Sequence, residues 1–295
     1  MSAIEVRELR KSYGDVEAVR GISFDVAEGE VFALLGPNGA GKTTTVEILE
    51  GYRERTSGDV RVLGFDPQRA GTELRERIGI VLQSSAIDRF LSVREVLEMY
   101  AGYYPRPRPV DEVIELVGLG EKRDDRVRTL SGGQQRRLDV ALGLIGDPDL
   151  LFLDEPTTGF DPSARRQAWD LVRELRALGK TVLLTTHYMD EAQALADRIV
   201  IVAGGRIVAE GSASDIGGRM SRAATVRFSL PAGLAPPLDA AQDRDGTWWF
   251  RSDDTTRDLH QLTSWAVERG VRLDGLSVTP PSLEDVYLEL TGDSA

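Results

Sequence analysis

The 295-residue sequence contains no cysteine. This absence excludes disulfide bonds, thiolate nucleophiles and cysteine-ligated metal sites, and it fits a protein of the cytosol. No apolar run approaches the roughly 18 residues that a membrane-spanning helix needs, and residues 1–10 lack the apolar segment of a signal peptide. If the protein helps to move a molecule across a membrane, another chain must therefore form the path.

Lysine is also scarce, because only four of the 36 basic residues are lysines. The 48 acidic residues outnumber the 36 basic residues and give a net charge of −12. An acidic chain disfavours nucleic-acid binding, which needs clustered basic side chains against the phosphates. It also disfavours direct attachment to anionic lipid. We therefore expect no nucleic-acid partner, and the 41% of hydrophobic residues predicts a globular protein with a substantial core.

Five short apolar runs indicate a largely parallel β-sheet. Each run is apolar at consecutive positions, as in strands that are buried on both faces. Helical patterns lie between the runs, and this strand–helix–strand order predicts an α/β fold with helices covering the sheet. The runs are residues 31–35, 78–82, 150–153, 181–184 and 199–202.

Two further regions add to this α/β domain. The first thirty residues are β-rich with turns at Gly14-Asp15 and Glu28-Gly29, which predicts an antiparallel flank to the main sheet. Residues from about 88 to 146 are mostly helical and predict a helical subdomain. The first domain is expected to span residues 1–218.

A second, small α/β domain is expected over residues 219–295, after a seam at Gly217-Gly218. Its predicted order is strand, strand, helix, strand and helix. The strand patterns lie at residues 224–230, 247–251 and 271–278, and the helical patterns lie at residues 256–269 and 282–290.

Residues 36–44 match the phosphate-binding motif G-x-x-x-x-G-K-[ST], between an apolar strand and a helical pattern. Glycines let backbone N–H groups approach phosphates, and the following helix points its positive end at them. We predict a site for ATP with Mg²⁺. Lys42 would bridge the β- and γ-phosphates, Thr43 would coordinate Mg²⁺ and Thr44 would assist at the α-phosphate. The loop consists of Gly36, Pro37, Asn38, Gly39, Ala40, Gly41, Lys42, Thr43 and Thr44.

Two acids, Asp154 and Glu155, follow the apolar run 150–153. Ligands of parallel sheets bind at the carboxyl ends of the strands, where these acids are expected. Asp154 could hold Mg²⁺ there, and Glu155 could polarise an attacking water molecule. A solvated turn with two surface acids is the alternative, which the phosphate loop in the same chain disfavours.

The segment Leu-Ser-Gly-Gly-Gln at residues 130–134 opens a predicted helix with Ser131 as its N-cap. Two glycines in a first turn destabilise a helix by up to ~1 kcal/mol each relative to Ala. They are understandable if a ligand must approach the backbone closely, and a helix N-terminus with a serine hydroxyl suits a phosphate.

This combination of motifs resembles the ATP-binding cassette (ABC) ATPases, whose defining signature is LSGGQ, over about residues 3–215. The resemblance implies that two cassettes face each other head to tail. Each ATP is then held by the phosphate loop of one copy and by Ser131 and Gly133 of the other, with Gly132 and Gln134 completing the signature. Because this chain has one set of motifs, the resemblance implies an ATP-bound homodimer, or pairing with a sister chain.

The resemblance assigns further residues in the expected order. Tyr13 would stack on adenine, and Gln83 would sense Mg²⁺ and the γ-phosphate during catalysis. Asp161 lies in the loop that crosses to the partner, and His187 is the switch histidine at the γ-phosphate. Phe160 departs from the leucine that is usual in that loop, but it keeps an apolar side chain. Without the other motifs, Tyr13 would as readily be a half-buried strand aromatic, Gln83 would be a solvated loop amide, and His187 would more often be a capped structural histidine.

Two functions remain open for such an ATPase. The first is the nucleotide-binding subunit of an ABC-2-type exporter, located at the cytoplasmic face of the membrane with a separate integral membrane permease. The second is a soluble cassette protein that acts on the ribosome or on DNA. The single cassette, the short segment 45–129 between the two motifs and the acidic composition disfavour the second. Apolar residues of 91–97 with Met99 and Tyr100 are candidates for a permease-binding groove, unless they only pack the helical subdomain.

The C-terminal region indicates which branch of the family the chain resembles. The segment Pro-Ser-Leu-Glu-Asp-Val-Tyr at residues 281–287, with the small domain before it, resembles the C-terminal module of the daunorubicin-type drug-resistance branch. This resemblance implies efflux of an antibiotic, a lipid or a polysaccharide. We expect residues from about 220 onward to stabilise the dimer or to regulate turnover.

Overall fold

The computed structural model describes residues 2–81, 87–216, 223–231 and 233–291. The chain divides into two units, residues 1–213 and 214–295. The first unit contains the strands β1 (Ser2–Tyr13), β2 (Val16–Ala27), β3 (Val31–Leu35), β4 (Ser57–Val62), β5 (Ile78–Val81), β6 (Leu150–Asp154), β7 (Thr181–Thr186), β8 (Arg198–Ala203) and β9 (Arg206–Gly211). Its helices are α1 (Lys42–Leu49), α2 (Thr72–Arg75), α3 (Val93–Ala101), α4 (Val110–Leu116), α5 (Gly132–Leu144), α6 (Pro162–Ala177) and α7 (Met189–Leu195).

The main sheet confirms the predicted α/β fold. Its order is β5-β6-β7-β3-β8-β9, in which β9 is antiparallel to β8 and the remaining neighbours are parallel. The described residues of all five apolar runs lie in this sheet, and the side chains of β3 and β7 are buried throughout. The parallel register places Leu35 beside Thr186 and Asp154 beside Thr185, so the predicted site residues gather at one edge of the sheet.

The predicted antiparallel flank is also present, as a second sheet of order β2-β1-β4. Its third strand, β4, was not predicted, because its sequence Ser-Gly-Asp-Val-Arg-Val buries only Val60 and Val62. Apolar side chains of this sheet and of the main sheet share one core, in which Phe24 stacks on Phe32 with ring centroids 5.3 Å apart.

Helices α3, α4 and α5 occupy the region predicted to be helical. Ser92 caps α3 through a reciprocal pair of hydrogen bonds with Glu95. Val93, Val96 and Leu97 are buried within the unit, so these members of the proposed groove wall pack the subdomain instead. Met99 is exposed.

In its described residues, the second unit is a four-stranded antiparallel sheet with helix α8 (Thr255–Glu268) packed on one face. Val226, Phe228, Phe250 and Leu262 form its core. The last strand begins three residues later than predicted, because the backbone N–H of Val271 still bonds to Ala266 in a glycine-terminated helix end. The elements are β10 (Ala224–Ser229), β11 (Ala241–Gln242), β12 (Trp248–Ser252), α8 (Thr255–Glu268), β13 (Asp274–Thr279) and α9 (Leu283–Thr291), in the sheet order β11-β12-β10-β13.

Across the described residues of both units, no helix is both long enough and apolar enough to cross a membrane.

Candidate nucleotide site

Strand β3 leads into the phosphate loop at the carboxyl edge of the sheet. A Cβ atom on Gly36 would lie 2.2 Å from the carbonyl oxygen of Val202, and one on Gly41 would lie 2.5 Å from that of Ala18. Gly39 also has a left-handed backbone, with φ of 80°, but its Cβ position faces open space. Two glycines therefore seat the loop against the protein, while the third leaves free room beside it.

The Lys42 ammonium is buried and donates hydrogen bonds to the loop itself. Its Nζ lies 2.7 Å from the carbonyl oxygen of Gly36 and 3.1 Å from that of Pro37. Burial lowers the pKa of Lys42, and the carboxylates of Glu155 and Asp154 partly oppose that shift. The cation is thus held inside the loop, with neutral acceptors that a phosphate oxygen can replace.

Thr185 of β7 ties both predicted acids to the neighbouring strand. Its hydroxyl donates a short hydrogen bond to Oδ1 of Asp154 and accepts one from the backbone N–H of Glu155 at 3.1 Å. Glu155 has a φ of 46°, in the left-handed region that non-glycine residues rarely adopt. Strain of this kind is often found at functional sites, where the surrounding contacts impose it.

Each oxygen of the Glu155 carboxylate has a side-chain partner that fixes its orientation. The Thr158 hydroxyl donates to Oε2 at 3.1 Å, and Nδ1 of His187 lies 3.2 Å from Oε1. The His187 ring in turn contacts the ring of Tyr188, with centroids 4.0 Å apart. The structure therefore brings the predicted catalytic acid and the predicted switch histidine into direct contact.

The donors available for Mg²⁺ are one hydroxyl, from the exposed Thr43, and one carboxylate, from Asp154. In the described part of the chain, no group of three or more acidic or histidine side chains could hold a metal ion. Mg²⁺ binds through one or two protein oxygens together with phosphates and water in nucleotide sites, so these residues fit it. Gln83, the third predicted ligand, lies outside the described residues.

Tyr13 lies at the end of β1 and keeps 41% of its surface exposed. The Lys11 ammonium and the Arg53 guanidinium lie 4.9 and 5.3 Å from its ring centroid. An exposed aromatic ring can stack on a purine base. The two cations beside it can attract the phosphates of the nucleotide.

The signature segment begins α5, as predicted. Ser131 caps the helix, since its hydroxyl accepts from the backbone N–H of Gln134 at 3.3 Å and the Gln134 side chain accepts from its N–H at 2.9 Å. A Cβ atom on Gly132 would meet nothing within 4 Å, and one on Gly133 would only reach Ala164 at 4.0 Å. Packing within this chain therefore does not require either glycine.

The Asp161 side chain forms hydrogen bonds within its own chain. Its carboxylate caps α6 by accepting from the backbone N–H groups of Ser163 and Ala164, at 2.8 and 2.9 Å. This cap fixes the start of α6 directly after the loop of Gly159 and Phe160.

Two buried charged residues that support the site were missed in the sequence. Arg136 of α5 donates to the carbonyl oxygen of Pro156 at 3.1 Å and thereby joins the signature helix to the loop after Glu155. Glu191 of α7 is fully buried and accepts from the indole N–H of Trp169 at 3.3 Å. Burial lowers the pKa of Arg136 and raises that of Glu191. In the sequence, these two residues differ from surface charges only in lying on the apolar side of a helix.

Glu50, at the end of α1, is another buried ionisable residue. Burial, followed by the nearby carboxylates of Asp154 and Glu47, raises its pKa to about 8. Because the folded chain holds this proton more tightly than the unfolded chain, the stability due to Glu50 is full at low pH. It is lost as the pH rises from about 4.5 through about 8.

We expect Glu50→Gln to stabilise the protein at pH 8.5 and to have little effect at pH 4.5. Each unit of pKa shift corresponds to about 1.4 kcal/mol, so a gain of a few kcal/mol is expected at the higher pH. Thermal unfolding of both proteins across this range checks the prediction, with the exposed Glu54→Gln as the control. A difference that does not change with pH would contradict it.

Comparison with known proteins gives the family. A model described as "ABC transporter" matches residues 19–158, and a model of the C-terminal domain of ABC transporter domain-containing proteins matches residues 224–282. The daunorubicin/doxorubicin resistance ATP-binding protein DrrA of Streptomyces peucetius is 39% identical, over 99% of this chain and 93% of that protein. The Nod factor export ATP-binding protein I of Rhizobium meliloti is 40% identical, over 98% and 88%.

Solved structures agree with these relatives. The structure of cbiO1 from Clostridium perfringens, part of the ABC transporter complex cbiONQ, has a TM-score of 0.67 at 31% identity, over 72% of this chain and 88% of that one. A dimeric bacterial ABC transporter cassette has a TM-score of 0.63 at 25% identity, over 71% and 98%. The chain therefore belongs to the ABC transporter family, as an ATP-binding and ATP-hydrolysing subunit.

Proposed function

We propose that two copies of this chain bind two Mg-ATP between them and use hydrolysis to drive efflux through a separate membrane permease. The observation that carries this proposal is the division of phosphate-binding features between two places in the chain. The first place is the phosphate loop around Lys42. The second is the start of α5, where Gly132 and Gly133 follow Ser131 and have free space beside them. Within the described residues no hydrogen bond joins the two, so a second copy would complete each site.

The residues of the site have distinct roles in this proposal. Lys42 exchanges its loop carbonyls for β- and γ-phosphate oxygens, and the loop N–H groups hold the remaining charge. Thr43 and Asp154 hold Mg²⁺, which neutralises phosphate charge when it is bound. Glu155 accepts a proton from the attacking water molecule, in an orientation fixed by Thr158 and His187.

The remaining assignments follow the family resemblance. Tyr13 stacks on adenine, Gln83 senses Mg²⁺ and the γ-phosphate, and Asp161 positions the loop that faces the partner. Ser131, with Gly132, Gly133 and Gln134, presents a helix N-terminus to the γ-phosphate of the second copy's nucleotide.

An exposed aromatic patch is the proposed permease-binding surface. Tyr103 is 74% exposed and lies edge-on to Tyr100, with centroids 5.9 Å apart. Tyr52 and Met99 are also exposed, and the pKa of the half-buried Tyr104 is raised by burial and by its neighbours Tyr52 and Tyr100. Tyrosine and methionine are enriched at protein interfaces, where they provide apolar area with an adaptable shape.

The names of two relatives support a class of cargo for this proposal. One relative is named for daunorubicin and doxorubicin resistance and another for Nod factor export. We infer that this chain acts at the cytoplasmic face of the membrane. The exported cargo would be an antibiotic, a lipid or a polysaccharide, selected by the permease.

Purification of the tagged chain from its native host in mild detergent tests this function. We expect near-equal recovery of a multi-helix membrane protein. Recovery of ribosomal or nucleoid proteins, with no chain in the membrane fraction, would contradict the exporter and support a soluble cassette protein instead.

The double variant Met99→Asp/Tyr103→Asp tests the patch in the same experiment. Two charges in an apolar contact should reduce permease recovery at least about tenfold, while the ATPase rate of the isolated chain stays unchanged. Leu178→Asp, at an exposed apolar position beyond α6, is the matched control. Equal permease recovery with the double variant would contradict this docking site.

A further inference from the structure

Glu191 carries a carboxyl group that the protein encloses completely and that the roles proposed above do not use. It is the third residue of helix α7, and its side chain is fully buried. Its Oε1 accepts a hydrogen bond from the indole N–H of Trp169 at 3.3 Å, while Oε2 has no well-aligned partner among the described residues. A buried polar atom without a partner is destabilising, and an apolar side chain can fill such a position without loss of stability. Stability alone therefore does not explain a carboxyl group here.

One neighbour of this carboxyl belongs to the segment of the switch histidine. Thr186, at the end of β7, is fully buried, and its hydroxyl accepts from the backbone N–H of Tyr188 at 2.9 Å. Burial raises the pKa of Glu191, and the same Thr186 hydroxyl partly opposes that shift because it interacts with the carboxylate. His187 lies between Thr186 and Tyr188. The carboxyl and the hydroxyl together therefore fix the backbone on both sides of the switch histidine.

A second neighbour belongs to the loop that follows Glu155. The Thr157 hydroxyl is buried and also opposes the rise in the pKa of Glu191, although it forms no well-aligned hydrogen bond in the described part of the chain. The next residue, Thr158, donates to Oε2 of Glu155 at 3.1 Å. Glu191 thus interacts with both segments that hold the contact of 3.2 Å between Glu155 and His187.

Helix α6 supplies the remaining neighbours. Trp169 and Arg165 lie about one turn apart on this helix, and both favour the ionised form of Glu191. The Arg165 guanidinium also lies 4.5 Å from the centroid of the Tyr188 ring. Asp161 caps the start of α6, so this helix begins at the loop that is expected to face the second copy. The buried carboxyl therefore joins three segments of the site.

We propose that Glu191 is a positioning residue for ATP hydrolysis, which keeps His187 at the distance from Glu155 that orients the catalytic carboxylate. Its carboxyl interacts with donors on three segments at once, so these segments keep one arrangement. The inference rests on the roles proposed for Glu155 and His187. The loop around Lys42 holds the phosphates without this network. Loss of the carboxyl should therefore slow hydrolysis and leave the affinity for ATP nearly unchanged.

Glu191→Leu tests the proposal, because leucine has a similar volume and cannot accept from any of the three donors. We expect kcat to fall at least about tenfold, while the dissociation constant of Mg-ATP stays within about twofold of that of the unchanged chain. Phosphate release at saturating ATP gives kcat, and calorimetric titration gives the dissociation constant. Glu191→Gln keeps an acceptor oxygen for Trp169, so its kcat should lie within about threefold of that of the unchanged chain.

Two further variants separate positioning from folding. Leu195→Ala, at the other end of α7, leaves a cavity and should lower the unfolding temperature, while kcat measured below that temperature stays unchanged. Thr186→Val removes only the hydroxyl between Glu191 and the N–H of Tyr188. It should lower kcat at least about threefold without loss of ATP affinity, and it tests the same contacts if Glu191→Leu does not fold.

A double variant tests whether Glu191 acts through the switch histidine. In a His187→Ala background, Glu191→Leu should lower the residual kcat by less than about twofold, because the group that it positions is absent. The proposal would be overturned by an equal loss in both backgrounds, by an unchanged kcat of Glu191→Leu or Thr186→Val, or by a loss of affinity as large as the loss of kcat. Normal hydrolysis by Glu155→Gln would instead contradict the roles proposed for the site, so the two failures are distinguishable.

Discussion

Glu155→Gln is expected to lower ATP hydrolysis about a hundredfold or more while ATP binding is retained, because the amide cannot accept the proton of the attacking water. The substitution keeps the size of the side chain and an oxygen that can accept from Thr158. The left-handed backbone at residue 155 and the contacts to Thr185 are main-chain features that the variant also keeps. Phosphate release measures hydrolysis, and titration with a fluorescent ATP analogue measures binding.

Asp190→Asn is the control for this experiment. Asp190 is a more exposed acid close to the switch histidine in sequence, and its carboxylate pairs with Arg165 at 3.0 Å. Its replacement should change hydrolysis by less than about twofold, since exposed ion pairs contribute little. Near-normal hydrolysis by Glu155→Gln would show that another group activates the water.

Lys42→Ala is expected to weaken ATP binding by between about a hundredfold and ten-thousandfold. Lys42 can make two charge-assisted hydrogen bonds to phosphate, and each contributes about 1.5–3 kcal/mol. The variant also removes the donors that Gly36 and Pro37 accept from in the loop, so a modest loss of thermal stability should accompany the loss of affinity. Calorimetric titration with Mg-ATP gives the dissociation constant.

Lys122→Ala is a suitable control, because Lys122 is partly exposed and pairs with Asp125, three residues away. The affinity of this variant should equal that of the unchanged chain. If Lys42→Ala bound ATP as tightly as Lys122→Ala does, the loop would not be the phosphate site.

The site was predictable where a motif and its flanking elements agree. The phosphate loop lies between β3 and α1, and the acids Asp154 and Glu155 end or follow β6, because consecutive buried apolar residues identify these strands reliably. The contact between Glu155 and His187 was not predictable, since it depends on the parallel register that places β6 beside β7.

Features that depend on burial were harder to predict. Thr185 was not predicted to belong to the site, because a threonine near the end of a strand has no distinctive pattern, yet it is fully buried and bonds to both acids. Glutamate and arginine usually lie on the protein surface, so the sequence gives no sign that Glu50 and Arg136 are buried. Only the packing of the folded chain shows their burial. Strand β4 has few apolar residues, so its pairing with β1 in the flank sheet, and not its own pattern, defines it.

The division of each site between two copies is tested most directly by mixing two inactive variants. Lys42→Ala lacks the phosphate-loop cation and Ser131→Arg blocks the open signature surface, but a mixed dimer would contain one intact site. Measurement of ATP hydrolysis in an equal mixture should recover up to about a quarter of the unchanged activity, because half of the dimers are mixed and each has one working site. Full hydrolysis by Ser131→Arg alone would contradict the shared site, because each chain would then complete its own.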